Sequence, residues 1–455
     1  MTAMTAEGAR RMAAAALLLA AAGCSLGGAS TSSTPAAPPA PKLGAQKAAV
    51  IANGYAGGHL GFGRRQWDTS GDGFQRAFAF NPTDDAAAYL AATAWAHAGN
   101  APAALEWLGQ VWRLNSCLVP LPKSFEGIAS DPRFHDALTV LRAQAPKTHR
   151  STVAFTLETR DLVPGDLAWD AAGKVFYVAS LRKRKIVRVT PGAAGAPAST
   201  SDFAGSSDGD LDAVLGVKID AARRRLWAVT AVDPAMEGFR PEDFGRSQLV
   251  AFDLATGTLV GRWSPMTRPP HQFGGLAVDA AGNVWVTDTA SGEIHVLRPG
   301  AEELAVVAAA GALVAPKAIV VSSDGARIWV ADLARGIYRL DPATGATTLL
   351  DQPPGPWPAG LDGLVLHRNA LVGVAATVSV GRVGRWTLEP DGDSFSGMEI
   401  LDCAHPSYRV PVGGTMVGDD YVYVANSQID AFGAAGVPPA EKLEDLVFLR
   451  LPLGR

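Results

Sequence analysis

The stretch "HQFGGLAVDAAGNVWVTDTASGEIHVL", His271 to Leu297, decides how the larger part of this chain is read. Leu276-Ala277-Val278 is a short apolar run. Asp279 to Asn283 is a turn rich in Ala, Asp and Gly, Val284-Trp285-Val286 is a second run, and Ser291-Gly292 a second turn before Ile294 to Leu297. β-Branched and aromatic residues between Gly, Asn and Asp clusters predict strand, turn, strand, turn, strand.

The same pattern recurs. "GDLAWDAAGKVFYVAS" begins at Gly165, "LGVKIDAARRRLWAVT" at Leu215, "KAIVVSSDGARIWVAD" at Lys317, "DGLVLHRNALVGVAAT" at Asp362 and "GGTMVGDDYVYVANSQ" at Gly413. Starts 43 residues apart (Gly274 to Lys317) to 59 apart (Leu215 to Gly274) suit four-stranded blades. Six copies predict a mainly β chain, a six-bladed β-propeller over 150–455. Ser151–Leu157 precedes the first copy and "EDLVFLRLPL" from Glu444 follows the last; these end segments are expected to share one blade and close the ring, which removes exposed edges.

Upstream, over 46–147, the period is that of a helix. Leu90, Ala94, Trp95 and Ala98 form one stripe, and Ala104, Leu105, Leu108, Val111 and Trp112 a second. Gly99-Asn100 reads as the turn between them and Pro102 as the start of the second helix. With Ala92, Trp95, Gly99, Ala104 and Leu108 at matching positions, this resembles one tetratricopeptide-type hairpin. A third helical piece carries Phe125, Ile128, Phe134, Leu138 and Leu141. One repeat cannot stack into a solenoid, so a small helical domain is expected. Asp68 to Gly73 begins like a calcium loop, but Ala79 stands where a bidentate Glu belongs, so it reads as a plain turn.

The first residues read as a targeting segment over 1–23. Arg10-Arg11 is a basic start, and Met12 to Ala22 is apolar but too short to span a bilayer. Ala21-Ala22-Gly23-Cys24 resembles a bacterial lipobox, with Ala21 where Leu is usual. That resemblance implies lipidation of Cys24 and a protein held in the cell envelope; Ser25 implies the outer membrane, facing the periplasm. Residues 24–45 are mostly Ser, Pro, Ala and Gly and read as a tether. The net charge of −4 gives no call for nucleic acid, so the only membrane contact expected is the lipid anchor. Of the other cysteines, Cys117 and Cys403 fall in different domains and read as unpaired thiols.

The strand repeats resemble the gluconolactonase, senescence-marker-protein and paraoxonase-like propellers. The likeness spans Ser151 to Arg455 and is carried by "VPGDLAWD", "FGGLAVDAAGNVWVTD", "APKAIVVSSDGARIWVAD", "GLDGLVL" and "YVYVANSQ". It implies one divalent cation, often calcium, in the central tunnel, held by carboxylates and Asn oxygens at the starts of the innermost strands. Matched residue by residue, the Glu of blade one falls at Gly165 and the Asn and Asp of blade three at Gly274 and Gly275. The Asn of blade four falls at Lys317, and the Asp of blade five is kept as Asp362. Glycine has no side-chain oxygen and an ammonium cannot coordinate a cation, so the implied calcium site is read as lost, with Asp362 its residue. A one-residue shift in blade one keeps Asp166 as a further candidate.

Lys317 and Asp362 start neighbouring innermost strands and are expected to form an ion pair in the tunnel. The bland reading sends Lys317 to solvent. Thr230 to Gln248, a long insertion in blade two, and the basic run Arg182 to Lys185 are expected at the same mouth, where Arg182 and Arg184 would attract an acidic ligand. His271 lies near that mouth and is a candidate there for ligand binding or as a general base; with no charge partner close in sequence, the favoured reading is a loop histidine. Asn426-Ser427-Gln428 reads as a backbone-satisfying corner. The leading reading is an exported, lipid-anchored binding or interaction protein with a small-molecule or protein ligand at the propeller face. The runner-up is a metal-dependent lactonase or esterase, with its cation on Asp166, Asp362 and backbone carbonyls.

Overall fold

A computed structural model describes residues 41–454 except 147, 193–197, 206–210, 376–380, 433–437 and 439. The targeting segment, Cys24 and most of the tether lie outside the described residues.

Among the described residues five α-helices come first: α1 (Ala45–Gly63), α2 (Trp67–Phe80), α3 (Asp85–His97), α4 (Ala101–Arg113) and α5 (Pro132–Gln144). Side chains start three of them. Asp84, Asn100 and Asp131 accept from the N–H groups of Ala86, Ala103 and Arg133 at the heads of α3, α4 and α5. Gly99 closes the α3–α4 turn at φ 72°, where a Cβ would be strained. The Asp68–Gly73 stretch is not the turn its composition suggests, for it lies inside α2. A Cβ on Gly73 would sit 2.4 Å from Gly58 N, so its glycines let α1 and α2 pack backbone to backbone. Close helix packing and a turn both ask for glycine, and composition alone does not separate them.

The rest is a ring of six four-stranded antiparallel sheets. The innermost strands are β2 (Pro164–Asp170), β6 (Ala213–Asp220), β10 (Phe273–Val278), β14 (Pro316–Val321), β18 (Leu361–His367) and β22 (Val412–Val417). Five blades run in simple sequence order, and the sixth has the order β1 (Thr152–Leu157), β24 (Leu446–Pro452), β23 (Asp420–Val424), β22. There β1 pairs with β24, so the two end segments close the ring as expected. Buried apolar clusters fill the spaces between neighbouring blades, such as Ala168, Val217 and Val250 between blades one and two.

The helical domain is fastened to blades four and five. Trp357 and Ala359 enter its core beside Tyr55, Phe74 and Leu90. Asn81 Nδ2 donates to Gly355 O at 2.7 Å, and Leu43 N to Gln352 O at 2.9 Å. Cys117 and Cys403 are joined in a disulfide across 286 residues, which corrects the reading of two free thiols. The reading failed because the bond crosses between domains whose docking no spacing announces. A disulfide typically contributes about 2–4 kcal/mol, and in the chain-entropy picture more as the closed loop lengthens.

Candidate functional site

Each innermost strand carries an irregularity in its pairing at its first turn of chain. The residues skipped are Gly165, Leu215, Gly274, Lys317, Asp362 and, in blade six, Gly413-Gly414. A bulge re-aims one residue out of the ladder. All of these residues line a cavity of about 340 Å3, its open mouth included, at the end of the tunnel. Four of them are the positions that the lactonase resemblance assigns to metal ligands.

The charges there are paired internally. Lys317 Nζ lies 3.6 Å from Asp362 Oδ2 and donates to Gly274 O at 3.2 Å. Asp166, beside the bulged Gly165, accepts from Lys218 Nζ at 2.8 Å and from Val217 N at 3.3 Å. Consecutive amides of blade six hold both carboxylates: Gly413 N donates to Asp362 Oδ1 at 3.2 Å and Gly414 N to Asp166 Oδ1 at 3.1 Å. Burial pushes the Asp362 carboxyl up, and the Lys317 ammonium and Gly413 N–H draw it back. Two cations thus face two carboxylates.

Calcium does not fit this set. It wants six to eight oxygens, and here an ammonium stands among the few that converge. The glycines are also closed to ligand side chains. A Cβ on Gly274 would meet Thr289 Oγ1 at 2.3 Å and Lys317 Cδ at 3.1 Å, so the lysine stem occupies that place. A Cβ on Gly275 would meet Lys317 O at 2.4 Å, and one on Gly165 would meet Leu215 O at 2.8 Å, both backbone atoms.

The loops around the mouth are tied to one another. The blade-two insertion brings Val232, Ala235 and Met236 against Ile429, Phe432 and Leu443 of blade six. Arg182 is buried, 3.2 Å from Glu237, with its guanidinium 5.0 Å from the Phe432 ring centre. Lys183 reaches Glu237 at 2.8 Å and Asp161 at 2.6 Å, and Arg184 Nε donates to Leu211 O at 2.7 Å. The basic run therefore clamps the insertion, and its charge is shared with Glu237 and Asp161. Asp233 of the insertion is buried near Lys317; burial raises its carboxyl, and the Ala235 N–H and Lys317 counter it. Asn426, Ser427 and Gln428 bond to main-chain atoms of 410 and 444–447, as their reading expects.

His271 is not a loop histidine without a charge partner. Its Nδ1 lies 2.6 Å from Asp288 Oδ2, and its Nε2 lies 3.0 Å from Thr267 O. The partner was missed because it stands 17 residues away, at the end of β11 (Val284–Asp288), and only the hairpin folds it back. Burial lowers the His271 pKa, but the Asp288 and Thr267 bonds outweigh it and the balance is upward. Burial likewise pushes the Asp288 carboxyl up, yet the bond from His271, the His295 imidazole beside it and the Gln272 N–H hold it well below the usual range. Glu293 and His295 join the group, all four buried and their ligand atoms within 4.8 Å of one another. The sequence signal was Glu-x-His at 293 and 295, an alternation that puts both on one side of an extended segment.

No family model matches the chain, and no curated protein matches it. Among solved structures, the chain is similar to a pyrroloquinoline-quinone-bound aldose sugar dehydrogenase from Streptomyces coelicolor, at 13% identity and TM-score 0.47, over 67% of this chain and 100% of that one. It is similar to regucalcin, a calcium-binding protein from Agrobacterium tumefaciens, at 16% identity and TM-score 0.42, over 66% and 93%. A chain of a nidogen/laminin complex is a third, at 15% identity and TM-score 0.40, over 61% and 99%.

Proposed function

We propose that the protein is an exported, lipid-anchored binding protein of the cell envelope, with a small-molecule or protein ligand at the tunnel-mouth face of its propeller. The observation that carries this reading is Lys317 Nζ, 3.2 Å from Gly274 O and 3.6 Å from Asp362. An internal ammonium stands at the bulged positions where a calcium-dependent lactonase would need oxygen ligands. The Lys317 ammonium standing in the place of a cation favours a recognition surface over a metal-dependent hydrolytic centre. The targeting segment ending at Cys24 supports export, and so does the Cys117–Cys403 disulfide, since such bonds persist in oxidising compartments.

Calcium analysis of the purified chain tests the mouth, together with lactone hydrolysis measured with and without a chelator. The expected result is no stoichiometric calcium and no chelator-sensitive turnover. Bound calcium with turnover lost on chelation would overturn the proposal in favour of the lactonase. Detergent-phase partition tests the anchor: the native chain is expected in the detergent phase and Cys24→Ser in the aqueous phase.

A further inference from the structure

The group at His271, Asp288, Glu293 and His295 lies in blade three, built by other residues than the tunnel cavity. His271 comes from the chain before β10, Asp288 ends β11, Glu293 lies in the hairpin, and His295 is on β12 (Ile294–Leu297). His295 is fully buried, and neither of its ring nitrogens has a hydrogen-bond partner among the described residues. Its Nε2 nevertheless faces two carboxylates, 3.2 Å from Glu293 Oε2 and 3.9 Å from Asp288 Oδ2. Leaving a buried polar atom unpaired costs about 1–3 kcal/mol, so an unmet demand at the centre of a polar cluster points to a missing partner.

The outer contacts are those of a prepared ligand set. Asp288 Oδ1 is taken by the amides of Gln272, Ala290 and Ser291 at 2.9, 3.1 and 3.3 Å, which leaves Oδ2 free to face the cluster. Thr267 Oγ1 donates to Glu293 Oε2 at 2.8 Å. Thr267 O faces His271 Nε2, which turns Nδ1 inward. Metal-binding histidines are commonly oriented by such a carbonyl on the far nitrogen.

We propose that these four side chains form a closed site for one divalent first-row transition metal, of the zinc class. Two imidazoles and two carboxylates suit zinc and disfavour calcium or magnesium, which take oxygen alone. The formal charge of the two carboxylates matches a divalent ion. Ligands at about 2.0–2.1 Å from a tetrahedral zinc lie roughly 3.3 Å apart. The separations of 2.6, 3.2 and 3.9 Å bracket that value, so small side-chain movements suffice. Four protein ligands leave no open position, which is the pattern of a structural site. The ion would staple the chain before β10 to the β11–β12 hairpin, next to the tunnel mouth but independent of its ion pairs.

The test uses the full chain free of any affinity tag, stripped with a chelator, dialysed and titrated with zinc sulfate or cobalt chloride. One equivalent of zinc is expected to bind, and cobalt is expected to show the intense visible absorption of four-coordinate geometry. His271→Gln and His295→Gln should each weaken zinc by about a hundredfold or more, and Thr267→Val by about tenfold. Substoichiometric zinc on the native chain, or equal affinity in all variants, overturns the proposal. Should a histidine variant fail to fold, anomalous scattering at the zinc edge from native crystals decides. A peak among the four side chains supports the site; a peak elsewhere, or none, overturns it.

Discussion

The tunnel mouth and the blade-three cluster are both groups of charged side chains, the first half-buried and the second buried, and they are satisfied in opposite ways. At the mouth the charges that line the cavity are matched: Lys317 with Asp362, Lys218 with Asp166, and two blade-six amides across both carboxylates. In blade three, four ligand-type side chains converge, and His295 has no hydrogen bond among the described residues. A group whose charges are matched closes on itself; a group with an unmet demand leaves room for a guest. The mere presence of polar groups in a cavity does not distinguish the two.

Substitutions separate these states. The largest effect is expected from Gly275→Asp, which returns a carboxylate to a position the lactonase resemblance assigns to a ligand. Its Cβ would stand 2.4 Å from Lys317 O, so main chain must move, at a cost of about 3 kcal/mol. Urea denaturation reads this directly. A stable variant that gains calcium would show the mouth to be a dormant metal site and dissolve the contrast.

Asp166→Ala comes next. It strands Lys218 and the amides of Val217 and Gly414, and since Lys218 is partly exposed the expected loss is about 2 kcal/mol. A loss within error would mean that the pairing at the mouth carries little of the stability assigned to it.

Lys317→Met tests the other pair, and its sign depends on pH. Burial already raises the Asp362 carboxyl, with Lys317 opposing. Removing the lysine moves that carboxyl higher still. A carboxyl raised in the fold costs nothing below its unfolded range, and the cost grows as pH rises through the folded value. The deficit is therefore expected to be small near about pH 4 and to reach about 1 kcal/mol at neutral pH. Thermal melts across that range check it, and Lys317→Met/Asp362→Leu should recover most of the loss. A pH-independent deficit would point to lost packing of the lysine stem instead.

The smallest change is expected from Glu293→Gln in the metal-free protein. It removes one formal negative charge from the cluster and supplies an amide that can donate to His295. Stability should stay within about 0.5 kcal/mol or rise slightly. A loss as large as that of Asp166→Ala would make the cluster as self-satisfied as the mouth.

How far the sequence carried these conclusions differs by region. The six strand repeats and the closure by Ser151–Leu157 with the last strand were legible, because a two-residue period and turn residues are local signals. Four of the ligand positions of the resemblance, Gly165, Gly274, Lys317 and Asp362, fell on bulged residues, and the Lys317–Asp362 pair followed from two strand starts being neighbours. Asp68–Gly73 misled because glycine serves helix contact as well as turns.

By itself, then, the sequence determined the ring, its closure and where each innermost strand begins, since periodicity and turn residues are written along the chain. Only the tertiary structure decided which groups meet. It joined Cys117 to Cys403 across 286 residues and turned the basic run at Arg182 onto Glu237. It also folded Asp288, Glu293 and His295 back onto His271. The physical reason is that pairing energies depend on distance and burial in space, and neither is a function of separation along the chain.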